Sequence, residues 1–288
     1  MASDTRHVGE LEVRVLVTGN KGLIGRFVES VLGDAGHEVV GFDLRGGDDI
    51  RDNIAVSRAA GGCEAIVHLA ALLPYGVDES DLVNVNLLGT WNILLAAKKH
   101  DIDRIVFFSS VNALGVFMGN RKPDYLPIDD EHRCYPRSSY SISKRLAEKM
   151  CRFHAEETGA VTVCLRPPWV LAPSDYQTIK ARWKKDAESE WQPFWEYGAF
   201  LDVRDAASAA MAALALPESG YTAALLCADD ILSMRPSIEM ADMLLPGVPF
   251  KDTARYDIDP YCSLVTAARA KKLLHWQPVY RWRDQVEA

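Results

Sequence analysis

The chain has 288 residues, enough for one large domain or a domain with a lobe, and 48% hydrophobic against 25% charged residues is the balance of a globular protein. A formal net charge of −8 argues against a nucleic-acid partner, which asks for a basic surface. No apolar run is long enough to cross a bilayer, and residues 1–10 lack the apolar core of a secretory signal, so a cytoplasmic chain with a disordered start is expected.

In chain order, residues 13–18 are a short β-branched run closed by glycine and predict a buried strand. Residues 22–35 predict a helix, with Leu23, Ile24, Phe27, Val28, Val31 and Leu32 on one face and Gly36 as its stop. Further strands are expected at 38–43, 64–69 and 104–109, with one long helix over 80–100 between the last two. A helix over 138–158 and a strand over 161–166 follow. Alternating strands and helices imply right-handed crossovers and a parallel sheet, and the short polar separators leave no clean break before about residue 166.

Past Pro173 the pattern changes, and residues 174–198 are polar, aromatic and weakly periodic. Residues 203–216 read as a helix, 223–227 as a strand candidate, and 237–245 and 264–274 as short helices. The expected fold is α/β: a Rossmann-type doubly wound parallel sheet over 11–172, with parts of 200–228 returning to it. A smaller C-terminal substrate-binding lobe takes most of 173–288.

The first strand and helix are joined by Gly19-Asn20-Lys21-Gly22-Leu23-Ile24-Gly25. Gly19 permits a tight turn, Gly22 lets backbone approach a pyrophosphate, and Gly25 lets the helix pack closely. Helix N-terminal amides then face the anion. Asp43 ends the second strand 18 residues past Gly25, where a carboxylate accepts from ribose hydroxyls. Cofactor binding outweighs a mere turn. Asp43 repels a 2′-phosphate, so NAD is favoured over NADP, a preference that Lys21 and Arg45 soften if they are more than solvated surface charges.

Tyr140 and Lys144 stand four apart on one helix face. A phenol titrates near pH ~10. An ammonium beside it favours phenolate, and the tyrosine then exchanges a proton with a substrate hydroxyl while hydride moves to or from a nicotinamide. Ser109 and Ser110 sit at the end of the 104–109 strand, where parallel sheets bind ligands, and supply the hydroxyl that holds the substrate oxygen.

Together these motifs resemble the extended short-chain dehydrogenase/reductase family, the NAD-dependent epimerase/dehydratase family, over nearly the whole chain. Residues 18–25 match its TGxxGxxG, and Asp49-Ile50 resembles its adenine-contacting pair. His68-Leu69-Ala70-Ala71 matches the turn lining the cofactor, and Asn86 the asparagine that braces the active-site helix and supports a proton path. Ser110, five before Gly115, stands where the family keeps its catalytic serine or threonine, and Tyr140 and Lys144 match its catalytic pair. Arg166-Pro167 matches the RP whose following residues border nicotinamide; alternatively, Arg166 pairs with a core carboxylate. FLDVRD (200–205) and Leu274-His275-Trp276-Gln277-Pro278 resemble later family signatures, with histidine replacing glycine in the second. The resemblance implies NAD, a small-molecule substrate and a homodimer built on the helices of 80–100 and 138–158.

Departures bear on substrate. RPPWVLAP stands where the nucleotide-sugar enzymes read RPxNVYGP, so Trp169 takes an asparagine's place and Leu171 a tyrosine's. Ser110-Val111-Asn112 lacks the acid and base of the 4,6-dehydratases. Asn112 is a substrate-contact candidate on position alone. The short segment 173–200, with Trp183, Trp191, Phe194, Trp195 and Tyr197, suits a smaller or ring-capped substrate, although lobe core is the safer expectation for each ring. These features resemble uronate (aldose) dehydrogenase-like members.

A nucleotide-sugar 4-epimerase with tightly held NAD is the rival enzyme, and a non-catalytic dinucleotide sensor a more distant one. His68 is expected to be structural beside the cofactor rather than a base. His132, His154 and His275 lack ligand spacing, so no metal is expected. The six cysteines lack paired metal spacing and are expected as reduced thiols. Lys180, Arg182, Lys184 and Lys185 are expected as a solvated helix face, with an anionic substrate as the alternative.

Overall fold

The computed structural model describes residues 12–119, 121–185, 196–217 and 220–287. The apolar runs of its first half become strands, each followed by a crossover. β1 (Arg14–Thr18) leads into α1 (Leu23–Asp34), then β2 (Glu38–Phe42), α2 (Asn53–Ala60), β3 (Ala65–His68), α3 (Glu79–Val83) and α4 (Gly89–Lys99). Next come β4 (Arg104–Phe108), α5 (Ser139–Thr158), β5 (Val161–Arg166), β6 (Trp169–Leu171) and α6 (Pro173–Lys185). β7 (Phe200–Asp202), α7 (Val203–Leu214), β8 (Tyr221–Leu225), α8 (Ser237–Leu244), α9 (Ala254–Ile258), α10 (Ala268–Leu274) and α11 (Trp282–Glu287) complete the order.

The main sheet runs β2-β1-β3-β4-β5-β8, and β1 pairs parallel with both β2 and β3. The order therefore reverses between β1 and β3, the switch point at which open parallel sheets leave a crevice for ligands. Thr18 stands opposite His68 there. A two-stranded parallel sheet pairs β6 with β7, Trp169 opposite Phe200.

The described residues divide between two compact units. Unit 1 draws on Met1–Phe108, Leu146–Leu165 and Ala207–Ala223; unit 2 on Ser109–Arg145, Arg166–Ala206 and Ala224–Ala288. Unit 1 is cored by aliphatic and aromatic side chains of the strands and their covering helices, among them Leu16, Phe42, Ile66, Ile93, Ile105 and Phe107. Unit 2 has its own core, in which Tyr176, Ile179 and Trp183 of α6 meet Phe200 and Trp282. The Trp183 and Trp282 rings lie 4.9 Å apart, so Trp183 is lobe core; Trp191, Phe194 and Trp195 lie outside the described residues, as does the chain start.

Several stretches differ from the sequence expectation, among them the following three. The helix expected over 80–100 is interrupted: between α3 and α4 the backbone takes one π turn, Asn84–Leu88, which widens the ladder at Asn86. Helix α2 was not expected; Asp52 caps it by accepting from the amides of Ile54 and Ala55. Helix α6 occupies the segment read as weakly periodic. Its buried face is Tyr176, Ile179 and Trp183, proper helical spacing that the lysines and glutamines between them obscure. Among the described residues no helix is long and apolar enough to cross a membrane.

Candidate active site

In unit 1 the glycine turn is tighter than its spacing alone required. Gly19 has φ +71, and a Cβ there would stand 2.9 Å from Ala70 N. A Cβ on Gly25 would stand 2.1 Å from Gly19 O and 2.6 Å from Asn20 Cα, so Gly25 packs the helix onto the loop itself rather than onto the strand. Around Gly22 only Gly19 O comes within 4 Å of such an atom, leaving that face open. The N-terminus of α1 has no side-chain cap and no acid in its first turn, so its amides and partial positive charge suit an anion. Asn20 is buried with its Oδ1 unpartnered while its amide donates to Glu29, 3.2 Å away. Open backbone and an uncapped helix end fit a dinucleotide phosphate. Leu23 and Ile24 supply the first helical amides.

Around the switch point a buried chain of hydroxyls and imidazole fixes the β3 turn. Thr90 Oγ1 donates to Asn86 O at 2.7 Å, leaving it to accept from His68 Nε2 at 3.0 Å. His68 Nδ1 then accepts from Thr18 Oγ1 at 2.7 Å, and Thr18 accepts in turn from the amides of Leu69 and Ala70, each at 3.2 Å. His68 thus spends both nitrogens on structure. Beyond Ala71, the Asn86 amide accepts from Leu72 N at 2.8 Å and donates to Leu72 O at 3.1 Å, so it clamps the turn after β3.

Asp43 ends β2 as expected, but both its oxygens already serve the backbone. Oδ2 accepts from Lys21 N at 3.1 Å, tying β2 to the glycine turn, and Oδ1 accepts from Arg45 N at 2.8 Å. Arg45 folds back to donate to Lys21 O at 2.6 Å, and the Lys21 ammonium lies over Gly46. Lys21 and Arg45 therefore meet the acid through their backbone amides. Asp49 is forked by Arg51, whose hydrogen bonds hold its carboxyl below the usual range, and Ile50 is buried against Gly89.

In unit 2 the serine and the phenol–amine pair are fixed by one another's backbones. Ser109 and Ser110 are both buried. Ser110 opens the turn Val111–Leu114, accepting from Asn112 N at 3.1 Å, and Val111 N donates to Pro167 O at 3.0 Å. Gly115, φ +69, closes the turn: its Cβ would lie 2.2 Å from both C and O of Tyr135, so only glycine lets that segment pass. Tyr135 N donates to Leu114 O at 2.7 Å. Three residues later Ser138 and Ser141 cap α5 reciprocally, each backbone amide donating to the other's hydroxyl. Tyr140 stands in this first turn, buried, and Lys144, also buried, places Nζ 5.9 Å from its ring centre.

Arg166 is the core partner foreseen as its alternative: buried, 4.0 Å from the equally buried Asp130. Asp130 also accepts from Leu225 N, and burial pushes its carboxyl up to about 6. His275 ends α10 with φ 49, the left-handed cap conformation that glycine adopts most readily. Lys180 donates to Val286 O rather than standing free in water, and the side chains of Lys184 and Lys185 lie outside the described residues. All six cysteines are thiols, and among the described residues no His, Cys, Asp or Glu cluster is arranged to hold a metal.

One residue of the site went unforeseen. Glu196 accepts from Asn112 Nδ2 at 3.0 Å and, through its other oxygen, from Trp169 N. Desolvation pushes its carboxyl up to about 7, against the pull of those two hydrogen bonds. Trp169 itself is exposed. No local motif marks Glu196, because its partners lie 84 and 27 residues away.

The family model for the NAD dependent epimerase/dehydratase family matches residues 15–225. The chain is 31% identical over 177 residues to an L-arabinose 1-dehydrogenase (NAD(P)(+)) of Haloferax volcanii, covering 56% of this chain and 69% of that protein. It is 26% identical over 289 residues to cinnamoyl-CoA reductase 1 of Petunia hybrida, covering 89% and 82%. A short-chain dehydrogenase/reductase superfamily protein from Agrobacterium tumefaciens, solved with bound NAD, shares the fold at TM-score 0.72 and 23% identity over 95% of each chain. With the glycine turn at a sheet switch point and a family model spanning most of its length, the protein belongs to the NAD-dependent epimerase/dehydratase family, as an NAD(P)-dependent enzyme of the extended short-chain type.

Proposed function

We propose that this enzyme transfers hydride between NAD and a secondary alcohol or ketone of a small, sugar-like polar substrate. The observation that carries the reading is that unit 2 holds both a buried Tyr140–Lys144 couple and a buried Ser110 hydroxyl that two N–H groups of Asn112 approach, at 3.1 and 3.3 Å. When bound, NAD supplies the hydride acceptor. Gly19, Asn20, Lys21, Gly22, Leu23 and Ile24 would hold its pyrophosphate, and Asp43 the adenosine ribose, favouring NAD over NADP. Asp49 and Ile50 would border adenine. Leu69, Ala70, Ala71, Ser109 and Pro167 would line the remainder.

In the oxidative direction, Ser110 donates to the substrate oxygen and Tyr140 removes its proton as the carbon–hydrogen bond gives up hydride. Lys144 would favour the phenolate and hold the nicotinamide ribose, and Asn86 would support proton exit. Asn112 already spends both amide hydrogens within the protein, so what it offers a substrate is Oδ1. Trp169, exposed beside Glu196, is suited to cover a small ring. Residues 11–172, with parts of 200–228, would be the cofactor-binding part and most of 173–288 the substrate-binding lobe. The similarity to an L-arabinose dehydrogenase points to an aldose-type alcohol, while that to cinnamoyl-CoA reductase, over more of the chain, marks how far substrates diverge at this identity.

A homodimer in the cytoplasm completes the reading. Leu88, Trp91 and Leu95 form one exposed apolar stripe, and Ile142, Leu146 and Phe153 along α5 form another.

The test is a panel of sugars, sugar acids and nucleotide-sugars assayed for NADH absorbance, repeated with Tyr140→Phe. Net NADH formation that falls about 10²–10⁴-fold in the variant supports the reading. Undiminished turnover in Tyr140→Phe would remove the mechanism. Substrate interconversion without net NADH, with NAD retained through purification, would point instead to a nucleotide-sugar 4-epimerase.

A further inference from the structure

Glu196 is a carboxylate with no part in the chemistry above, yet it is held two hydrogen bonds from the Ser110 hydroxyl. Its backbone is pinned. Tyr197 adopts φ 55 and Gly198 φ 71, a left-handed pair that is unfavourable for tyrosine. The strain is sustained by burial of the Tyr197 side chain, whose hydroxyl donates to Val116 O and whose ring lies 5.4 Å from that of Phe117. Ala199 N donates to Glu196 O at 3.0 Å, and Leu232 N to Gly198 O at 2.8 Å. The segment then enters β7, paired with the strand whose first amide, Trp169 N, the Glu196 carboxylate accepts.

The donors and acceptors follow from this placement. An ionised carboxylate only accepts. An Asn112 amide turned with oxygen toward Glu196 would set two acceptors face to face, so its NH2 faces the carboxylate, at 3.0 Å. The same nitrogen lies 3.3 Å from Ser110 Oγ, and Asn112 N lies 3.1 Å from it. Both lone pairs of the serine oxygen are thereby taken, and its hydrogen is left to donate outward. Were the amide reversed, Oδ1 would face Ser110 and draw that hydrogen back into the protein.

We infer that Glu196 is a positioning residue: by holding the Asn112 amide it keeps the Ser110 hydroxyl a hydrogen-bond donor toward the reacting oxygen, a role that presupposes Ser110 meeting that oxygen as proposed above.

Two measurements test the inference. The first needs no substrate. In the full-length protein the Asn112 side-chain NH2, assigned by its loss in Asn112→Asp, is followed by 1H–15N correlation and hydrogen exchange in wild type, Glu196→Ala and Glu196→Gln. Protection is expected in the wild type, lost in Glu196→Ala and partly kept in Glu196→Gln. Equal protection in wild type and Glu196→Ala would overturn the inference.

The second is a double-mutant cycle with the panel compound that gives NADH. Glu196→Ala is expected to lower kcat about 10–100-fold with KM changed less than about threefold. Because Glu196 acts through Asn112, adding Glu196→Ala to Asn112→Ala should cost little more than Asn112→Ala alone. Losses that multiply would overturn the inference while leaving the proposed chemistry standing. Unchanged turnover in a parallel Tyr140→Phe would instead sink the chemistry itself.

Discussion

Two glycines of α1 give opposite expectations when substituted. At Gly25 a methyl group would strike Gly19 O and Asn20 Cα, both main chain and unable to yield, so Gly25→Ala must shift the phosphate turn. The expected outcome is a cost of about 1–3 kcal/mol in urea denaturation and at least tenfold weaker NADH binding by fluorescence titration. At Gly33, nothing lies within 4 Å of an added Cβ and the residue is exposed, so Gly33→Ala should stabilise by about 0.5–1 kcal/mol and leave binding alone. The contrast separates crowding from helix propensity. Asp130 gives a second residue-scale prediction. Its carboxyl is raised to about 6 against an ordinary 3.8, so the folded chain holds that proton more tightly than the unfolded chain does. Its contribution to stability is therefore greatest below about pH 4 and falls by about 3 kcal/mol as pH rises through 6. In Asp130→Asn that slope should vanish, read as a wild-type-minus-variant difference in urea midpoint between pH 4 and 7; a difference that stays flat would contradict the assignment. The facing groups are Arg166, Arg269 and Asp129, with Leu225 N on the carboxylate.

At the scale of elements, Gly115 is where the Ser110 turn and the lead-in to α5 touch. Gly115→Ala would put a methyl into Tyr135 carbonyl atoms in a backbone conformation alanine also resists. Turnover should fall at least tenfold in the NADH assay, with a smaller loss of NADH affinity, since the β1 turn proposed to hold the pyrophosphate is untouched. Much of this architecture was legible in the chain. Most of α1 and α5 followed from periodicity, since each buries one face in a regular repeat, while β5 followed from a short apolar run that is buried on both faces. The π turn at Asn86 was not legible, because one extra residue per turn leaves the apolar spacing almost unchanged. α6 was hidden because its three buried side chains are separated by lysine, glutamine and threonine. The glycine turn, Tyr140 and Lys144 were readable as motifs because their chemistry demands short, fixed spacings. Glu196 was not, since tertiary folding alone brings it to Asn112. Arg166 stood between two readings until Asp130, 36 residues earlier, appeared beside it.

For the whole molecule, the proposed dimer makes a simple prediction: Leu95→Asp on the exposed α4 stripe should convert a dimer to a monomer in light scattering, with monomeric wild type removing the assembly from the reading. A last consequence lies in how the polypeptide is apportioned. The chain passes from one unit to the other after Phe108, Arg145, Leu165, Ala206 and Ala223. A fragment ending near residue 172 would lack α7 and β8, and its complement would lack the Ser110 turn. Neither half is a module that gene dissection can liberate, so split reporters, domain grafts and stand-alone cofactor fragments cut from this polypeptide should yield insoluble product, and only the intact reading frame should mature into soluble protein.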